Sequence, residues 1–291
     1  MTTLADLAEL VRAPAALSVP GDVVAGAAAA GALGPRTAGL AGASVLLYWA
    51  GMAANDWADR GLDAVERPER PIPSGRVTPA TAVGLAAGLT AAGLGLAAAA
   101  GGRRATAVAL PLAAAVWGYD LAAKNTAAGP AVMAACRGLD VLLGASGGRL
   151  VRAVPAALTV AAHTWTVTAL SRREVTGADA ALPRRTLAGT ALVALAAAAS
   201  RRTTPAGPRA GVALLPAALA GWYAAGYGGA QARVVADPSA GRVRAAVGAG
   251  ITGLPALQGA LTAGAGAGPL GLAVAAAAPL ARRLARKLSP T

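Results

Sequence analysis

The chain has 291 residues, 56% of them hydrophobic and only 13% charged, with a mean hydropathy of +0.55. That is about half the charge density of an ordinary soluble domain, so a single soluble core is excluded and a bilayer is the natural place for the apolar sequence. The net charge of +13 does not point to nucleic acid: the basic residues occupy short breaks between apolar runs, as in membrane loops, rather than one face or stripe.

The first residues lack a basic segment followed by a cleavage site, so no removable signal peptide is expected. Residues 3–12 place Leu4, Leu7 and Val11 on one helical face, which predicts a short helix lying at a membrane interface. A spanning helix needs about 17–25 mostly apolar residues. Such runs fall at 15–33, 38–54, 78–100, 104–121, 128–148, 152–171, 184–200, 209–227, 243–263 and 267–282. The last two are parted only by a Gly/Ala stretch and can also be read as one broken segment. The fold class is therefore an all-α integral membrane protein, a bundle of nine or ten transmembrane helices forming one domain over residues 1–291. Its wealth of Gly and Ala suits close helix–helix approach in lipid. The single Cys136 leaves neither a disulfide framework nor a cysteine metal site.

With the N-terminus inside, about twice as many basic residues fall on the inner side as on the outer, which orients the chain. The inner set includes the tail Arg282, Arg283, Arg286 and Lys287; the outer set includes Arg201, Arg202 and Arg209. Both long polar loops, 55–77 and 172–185, then face the cytoplasm of a multi-pass protein of the cell membrane.

The chemistry concentrates at Asn55-Asp56-Trp57-Ala58-Asp59-Arg60-Gly61-Leu62-Asp63, the end of the second span. On a helix Asp56, Asp59 and Asp63 stand at i, i+3 and i+7, with Asn55 one turn before Asp59, so four oxygen-bearing side chains share a face. Three carboxylates so close repel one another. A hard divalent cation relieves that repulsion, and Mg²⁺ favours a few carboxylates plus phosphate oxygens. A merely solvated helix end explains poorly why three of the chain's 13 acids crowd beside a membrane. The next loop, Arg67-Pro68-Glu69-Arg70-Pro71-Ile72-Pro73-Ser74-Gly75-Arg76, is stiffened by proline, and its arginines can reach back over phosphate oxygens.

The run from Asn55 to Arg76 resembles the first signature of the UbiA superfamily of intramembrane prenyltransferases, NDxxDxxxD followed by RPxPSG. The resemblance implies a helical bundle that moves an isoprenoid from its Mg²⁺-bound diphosphate to an acceptor, usually aromatic. It implies Asn55, Asp56, Asp59 and Asp63 as metal ligands, with Asp56, Asp59 and Asp63 catalytic. Arg67, Arg70, Lys124, Arg172, Arg173 and Glu174 are then the diphosphate-handling set. The second signature matches less well. Glu174 and Gly177 resemble its end, but its leading carboxylate falls on Leu170, so two arginines stand where the family uses metal. The Ser-Arg-Arg-Glu core resembles the EboC-like branch, which would imply a cyclitol-like acceptor.

Polar residues inside spans are costly in lipid and so are site candidates. Lys124 is placed by the resemblance near diphosphate, and its plain alternative is an i, i+4 pair with Asp120. Asp22, Arg137, Asp140 and His163 are candidates for the acceptor pocket. For Arg137 and Asp140 the plain alternative is mutual neutralisation, and for His163 a hydrogen bond to a neighbouring helix, which is the favoured reading. Trp49, Trp117, Trp165 and Trp222 read as packing or interface anchors. The partners expected are a prenyl diphosphate, a small-molecule acceptor and the bilayer, with no nucleic acid. The rival reading keeps the fold but not catalysis: a lapsed lipid-binding or transport protein.

Overall fold

Among the described residues, five α-helices carry a proline at their first or second position, where its missing N–H has no intrahelical partner to lose. The computed structural model describes residues 2–200 and 210–279, and among these the regular elements are all helices. In order they are α1 (Leu4–Leu10), α2 (Pro20–Ala30), α3 (Pro35–Glu66), α4 (Pro79–Gly118), α5 (Gly129–Ala145) and α6 (Leu150–Ser171). Next come α7 (Ala181–Ala199), α8 (Ala210–Tyr223), α9 (Gly229–Ala236), α10 (Ala240–Gly264) and α11 (Gly268–Ala275). Wide π turns at Tyr119–Ala123 and Ala224–Gly228 extend α4 and α8.

The predicted spans at 78–100 and 104–121 are the two arms of α4, which folds at Gly102, where φ is +65°. Trp117 Nε1 donates to Thr90 Oγ1 at 3.0 Å. An unbroken helix would hold those residues about 40 Å apart, so the arms are antiparallel. The final pair is likewise a hairpin and not one broken segment. A Cβ on Gly259 would sit 2.5 Å from the Gly271 carbonyl oxygen, and the reverse contact is 2.6 Å. Arg201, Arg202, Arg209, the end of the last predicted span (280–282) and the basic tail lie outside the described residues.

Two expectations need correction. The polar segment 55–77 is not a loop throughout: α3 continues unbroken to Glu66, and the chain leaves the helix only from Arg67 onward. This fixes the acid-bearing residues on a rigid rod. In α1 the apolar face is also divided, because Leu4 is 85% exposed while Leu10 and Val11 are buried in the bundle. That helix is docked on the protein as well as amphipathic.

Three helical stretches, Pro35–Glu66, Pro79–Ala123 and Leu150–Ser171, are each long and apolar enough to cross a bilayer. Leu110, Leu121, Leu158, Leu192 and Leu195 point outward, each more than half exposed, the pattern of a lipid-facing surface. Inside, contact rests on small residues. Gly26 of α2 and Gly144 of α5 bring two backbones together so closely that a Cβ on either would strike a carbonyl oxygen of the other helix.

Candidate active site

Where α3 emerges from the bundle, its oxygen-rich face meets a ring of cations from other segments. Asp56 and Asp63 are buried, while Asn55 and Asp59 are half-buried. Arg12 Nη2 lies 2.9 Å from Asp56 Oδ1. Arg70 Nη1 bridges two turns of the helix, at 2.7 Å from Asp63 Oδ2 and 3.4 Å from Asp56 Oδ1. Arg67 stands 3.8 Å from Asp63 Oδ1. Lys124 Nζ reaches Asp59 Oδ1 at 2.6 Å and donates to Asn55 Oδ1 at 3.2 Å. The i, i+4 pair of Lys124 with Asp120 is therefore not formed; the π turn swings the lysine onto the acid helix.

Arg12 is the residue that sequence reasoning missed. It sits in the left-handed region at φ 48°, sparsely populated by residues with a side chain. That turn carries the chain from α1 into the short 3₁₀ segment Ala13–Ser18 and aims the guanidinium at Asp56. Nothing in the local pattern links position 12 to position 56.

The proline loop is held by its last arginine. Arg76 binds Asp6 at 2.8 Å and Glu9 at 2.7 Å, both from α1, and also the Glu69 carbonyl oxygen. The Thr3 hydroxyl and N–H, with Arg76, hold the Asp6 carboxyl down at about 2. Ile72 and Val77 plug the loop into the bundle. Arg76 thus builds the wall of the site and faces away from the acid face.

The second loop lies at the same end. Arg172 donates to the Thr126 carbonyl oxygen, just beyond Lys124. Glu174 is half-buried, and desolvation raises its pKa against the opposing pull of Arg244 and Arg67, so the two polar loops share one field. Arg244 Nη1 also donates to the Glu174 carbonyl oxygen at 2.8 Å. Gly177, at φ 78°, lets the loop turn against Pro238. Arg173 is exposed. Leu170, where the resemblance would put a carboxylate, is fully buried in the apolar core.

Beneath the acid face a cavity runs between α3, the second arm of α4 and α5. Gly51, Tyr119 and Asp120 line it near the acids, and Tyr48, Arg137 and Asp140 line it farther in. Of the acceptor-pocket candidates, Arg137 and Asp140 border this space and Asp22 and His163 do not. Asp22 is fully buried, 2.8 Å from Arg137 Nε and 2.6 Å from Gln258 Nε2. Arg137 therefore pairs with Asp22 on α2, across the bundle, and not with Asp140, which accepts from Ser44 Oγ at 2.5 Å. His163 Nδ1 lies 2.8 Å from the Tyr223 hydroxyl, with the Tyr227 ring edge-on at 5.4 Å. This is the plain inter-helix hydrogen bond favoured from the sequence.

The donor types suit a hard cation: one amide and three carboxylate oxygens. Among the described residues, however, no three acid or imidazole groups converge into a ready cage. Each carboxylate instead faces a guanidinium or ammonium, with Arg70 shared between Asp56 and Asp63. That arrangement fits a magnesium–diphosphate complex better than a bare ion, because Mg²⁺ retains few protein ligands and takes the rest from phosphate. The displaced cations would then stand ready for phosphate oxygens.

Residues 18–236 match the UbiA prenyltransferase family. Among curated proteins, the chain is 55% identical over 47 residues to the digeranylgeranylglyceryl phosphate synthase of Methanopyrus kandleri, which is 16% of this chain and 17% of that protein. It is 44% identical over 91 residues to the synthase of the same name from Ignicoccus hospitalis, 31% of this chain and 30% of that protein. The chain thus spans less than a third of the length of the curated relatives it matches. Among solved structures, one described as giving structural and mechanistic insights into digeranylgeranylglyceryl phosphate synthase in membranes superposes with a TM-score of 0.66 at 16% identity, covering 90% of this chain and 98% of the other. The apo structure of a UbiA homolog from Aeropyrum pernix K1 superposes with 0.65 at 19% identity, covering 84% and 96%. These likenesses show the fold.

Proposed function

The chain belongs to the UbiA prenyltransferase family, and from that premise we propose that it transfers an isoprenoid from its diphosphate to a hydroxyl-bearing acceptor inside the membrane. The observation that carries this reading is the acid face of α3 ringed by Arg12, Arg67, Arg70 and Lys124. It pairs exchangeable cations with hard oxygen donors at the mouth of a largely apolar cavity.

Asn55, Asp56, Asp59 and Asp63 are the residues that would hold Mg²⁺, which supplies charge neutralisation for the leaving diphosphate. Arg70 and Lys124 neutralise the terminal phosphate oxygens. Arg67, Arg172, Arg173 and Glu174 close the same end from the two loops, with the arginines compensating for the absent carboxylate at Leu170. The apolar walls take the isoprenoid chain and keep water from the allylic cation that develops as the C–O bond breaks. Arg137 and Asp140 orient the far part of the substrates.

For the acceptor, the names of the relatives support a glyceryl phosphate lipid, which offers an aliphatic hydroxyl. An aromatic ring or the cyclitol implied by the EboC-like resemblance is the alternative, and the family match does not divide the branches. Mass spectrometry of lipids from cells with and without the gene separates these. A gene-dependent prenyl ether of a glycerolipid is expected, and a gene-dependent prenylated aromatic or cyclitol would overturn that acceptor class. Unchanged lipids on both sides would favour the lapsed binding or transport protein, whose supports are Leu170 in the second signature and the charges inside the spans that could line a path.

The site is proposed to face the cytoplasm, from the excess of basic residues on that side. Ala64→Cys and Ala178→Cys should be labelled by an impermeant thiol reagent only in inverted vesicles. Labelling in intact cells would reverse the orientation.

A further inference from the structure

The neck of the cavity holds a carboxylate that the ion-pair ring leaves out. Asp120 is 4% exposed, lines the cavity, and has no hydrogen bond or ion pair among the described residues. Lys124, four residues on, turns to Asp59 and Asn55 instead. Opposite Asp120 stands Gly51, also lining the cavity. A Cβ there would lie 3.6 Å from Asp120 Oδ2 and 2.7 Å from Val116 Cγ1, so the glycine keeps the space beside the carboxylate open.

Depth decides which acid meets the reacting carbon. Gly51 precedes Asp56 by five residues on α3, about 7–8 Å along the axis, whereas Ser44, which holds Asp140, precedes it by twelve, about 18 Å. The carbon bonded to a diphosphate on the acid face lies within a turn or two of that face. Asp120 is at that level, and Asp140 is far below it, with one oxygen already engaged.

We propose that Asp120 binds the acceptor's hydroxyl and takes its proton during prenyl transfer. The inference rests on the proposed transferase reading and adds to it the residue that completes the proton balance. The C–O bond to diphosphate breaks, and its electron pair leaves on the diphosphate. A lone pair of the acceptor oxygen forms the new C–O bond, and the oxonium so formed gives its proton to Asp120. An oxonium is a far stronger acid than a carboxylic acid, so an ordinary carboxylate suffices if it lies within hydrogen-bond reach. A buried acid without a protein partner is otherwise a cost with no return. The substrate class is thereby set: a neutral nucleophile that must shed a proton, with its O–H directed at the neck of the cavity.

The test uses the full-length protein in detergent with geranylgeranyl diphosphate, a singly alkylated glyceryl phosphate and Mg²⁺. Asp120→Asn keeps shape and removes the base. Turnover is expected to fall on the order of 10²–10⁴-fold, the usual worth of a positioned base, while KM for the prenyl diphosphate and binding of inorganic diphosphate change less than about threefold. Asp120→Ser, which leaves room for a water, must show the same split. Wild-type turnover in either variant overturns the proposal, and so does loss of diphosphate binding in step with turnover, which would make Asp120 part of the diphosphate site. A wild-type protein that binds diphosphate yet makes no product from this acceptor would sink the glyceryl phosphate transferase reading, a separate outcome.

Discussion

Asp56→Ala is expected to abolish prenyl transfer, with a fall of at least about 10²–10³-fold, the cost of removing one preorganised charge partner from a water-excluded site. The size reflects the contacts of Asp56. It is 5% exposed and accepts from both Arg12 and Arg70, so its loss frees Arg12, leaves Arg70 held by Asp63 alone, and deletes a proposed metal ligand at once. Arg12 is itself partly exposed, so the folding cost is modest beside the loss of chemistry. Asp56→Asn keeps an oxygen for Arg12 and should leave the thermal midpoint nearly unchanged, yet transfer should fall almost as far, because the uncharged amide leaves the proposed magnesium site one negative charge short. Transfer by Asp56→Asn at the parent rate would show that Asp56 merely anchors arginines.

The second large effect concerns the fold. Gly144→Val should prevent accumulation of folded protein. A Cβ at Gly144 would strike the Val23 carbonyl oxygen and lie 2.6 Å from Val23 Cα. These are backbone atoms, so no rotamer change relieves the clash and α2 must part from α5. The Asp22–Arg137 ion pair, 2.8 Å long and buried, joins those same two helices and opens with them. Overpacking costs about 1–3 kcal/mol and breaking a buried pair about 3–5 kcal/mol, together a large part of a typical folding free energy. Gly88→Ala is the control: nothing lies within 4 Å of the added atom, and it should behave as the parent on size-exclusion chromatography. A monodisperse Gly144→Val protein with the parent's midpoint would contradict the α2–α5 packing.

The acid face is legible in the sequence because its information is local. Spacing at i, i+3 and i+7 needs only that α3 be a helix, and the helix indeed carries Asn55, Asp56, Asp59 and Asp63 on one side. Span positions are legible for the same reason, down to the break at Gly102. The features hidden from the sequence depend on contacts between distant segments. Arg12 meets Asp56 across 44 positions, through a backbone turn that residue patterns do not announce. Arg137 has Asp140 one turn away on its own helix, yet binds Asp22 on α2, because packing rather than spacing sets its direction. From spacing alone Asp120 is only a partner for Lys124; the π turn leaves the aspartate at the cavity neck with no hydrogen bond or ion pair among the described residues. For His163 the inter-helix bond is expected on general grounds, since a lone histidine in an apolar helix needs a partner wherever it is buried.

The central claim is that the α3 acid face takes diphosphate through magnesium, and calorimetry on the purified, detergent-solubilised chain tests it most directly. Inorganic diphosphate should bind in the presence of Mg²⁺ and bind at least about tenfold more weakly in excess chelator, with the metal response lost in Asp56→Asn. Equal diphosphate affinity with and without the metal would contradict the account, and would mean that Arg12, Arg67, Arg70 and Lys124 bind the anion alone.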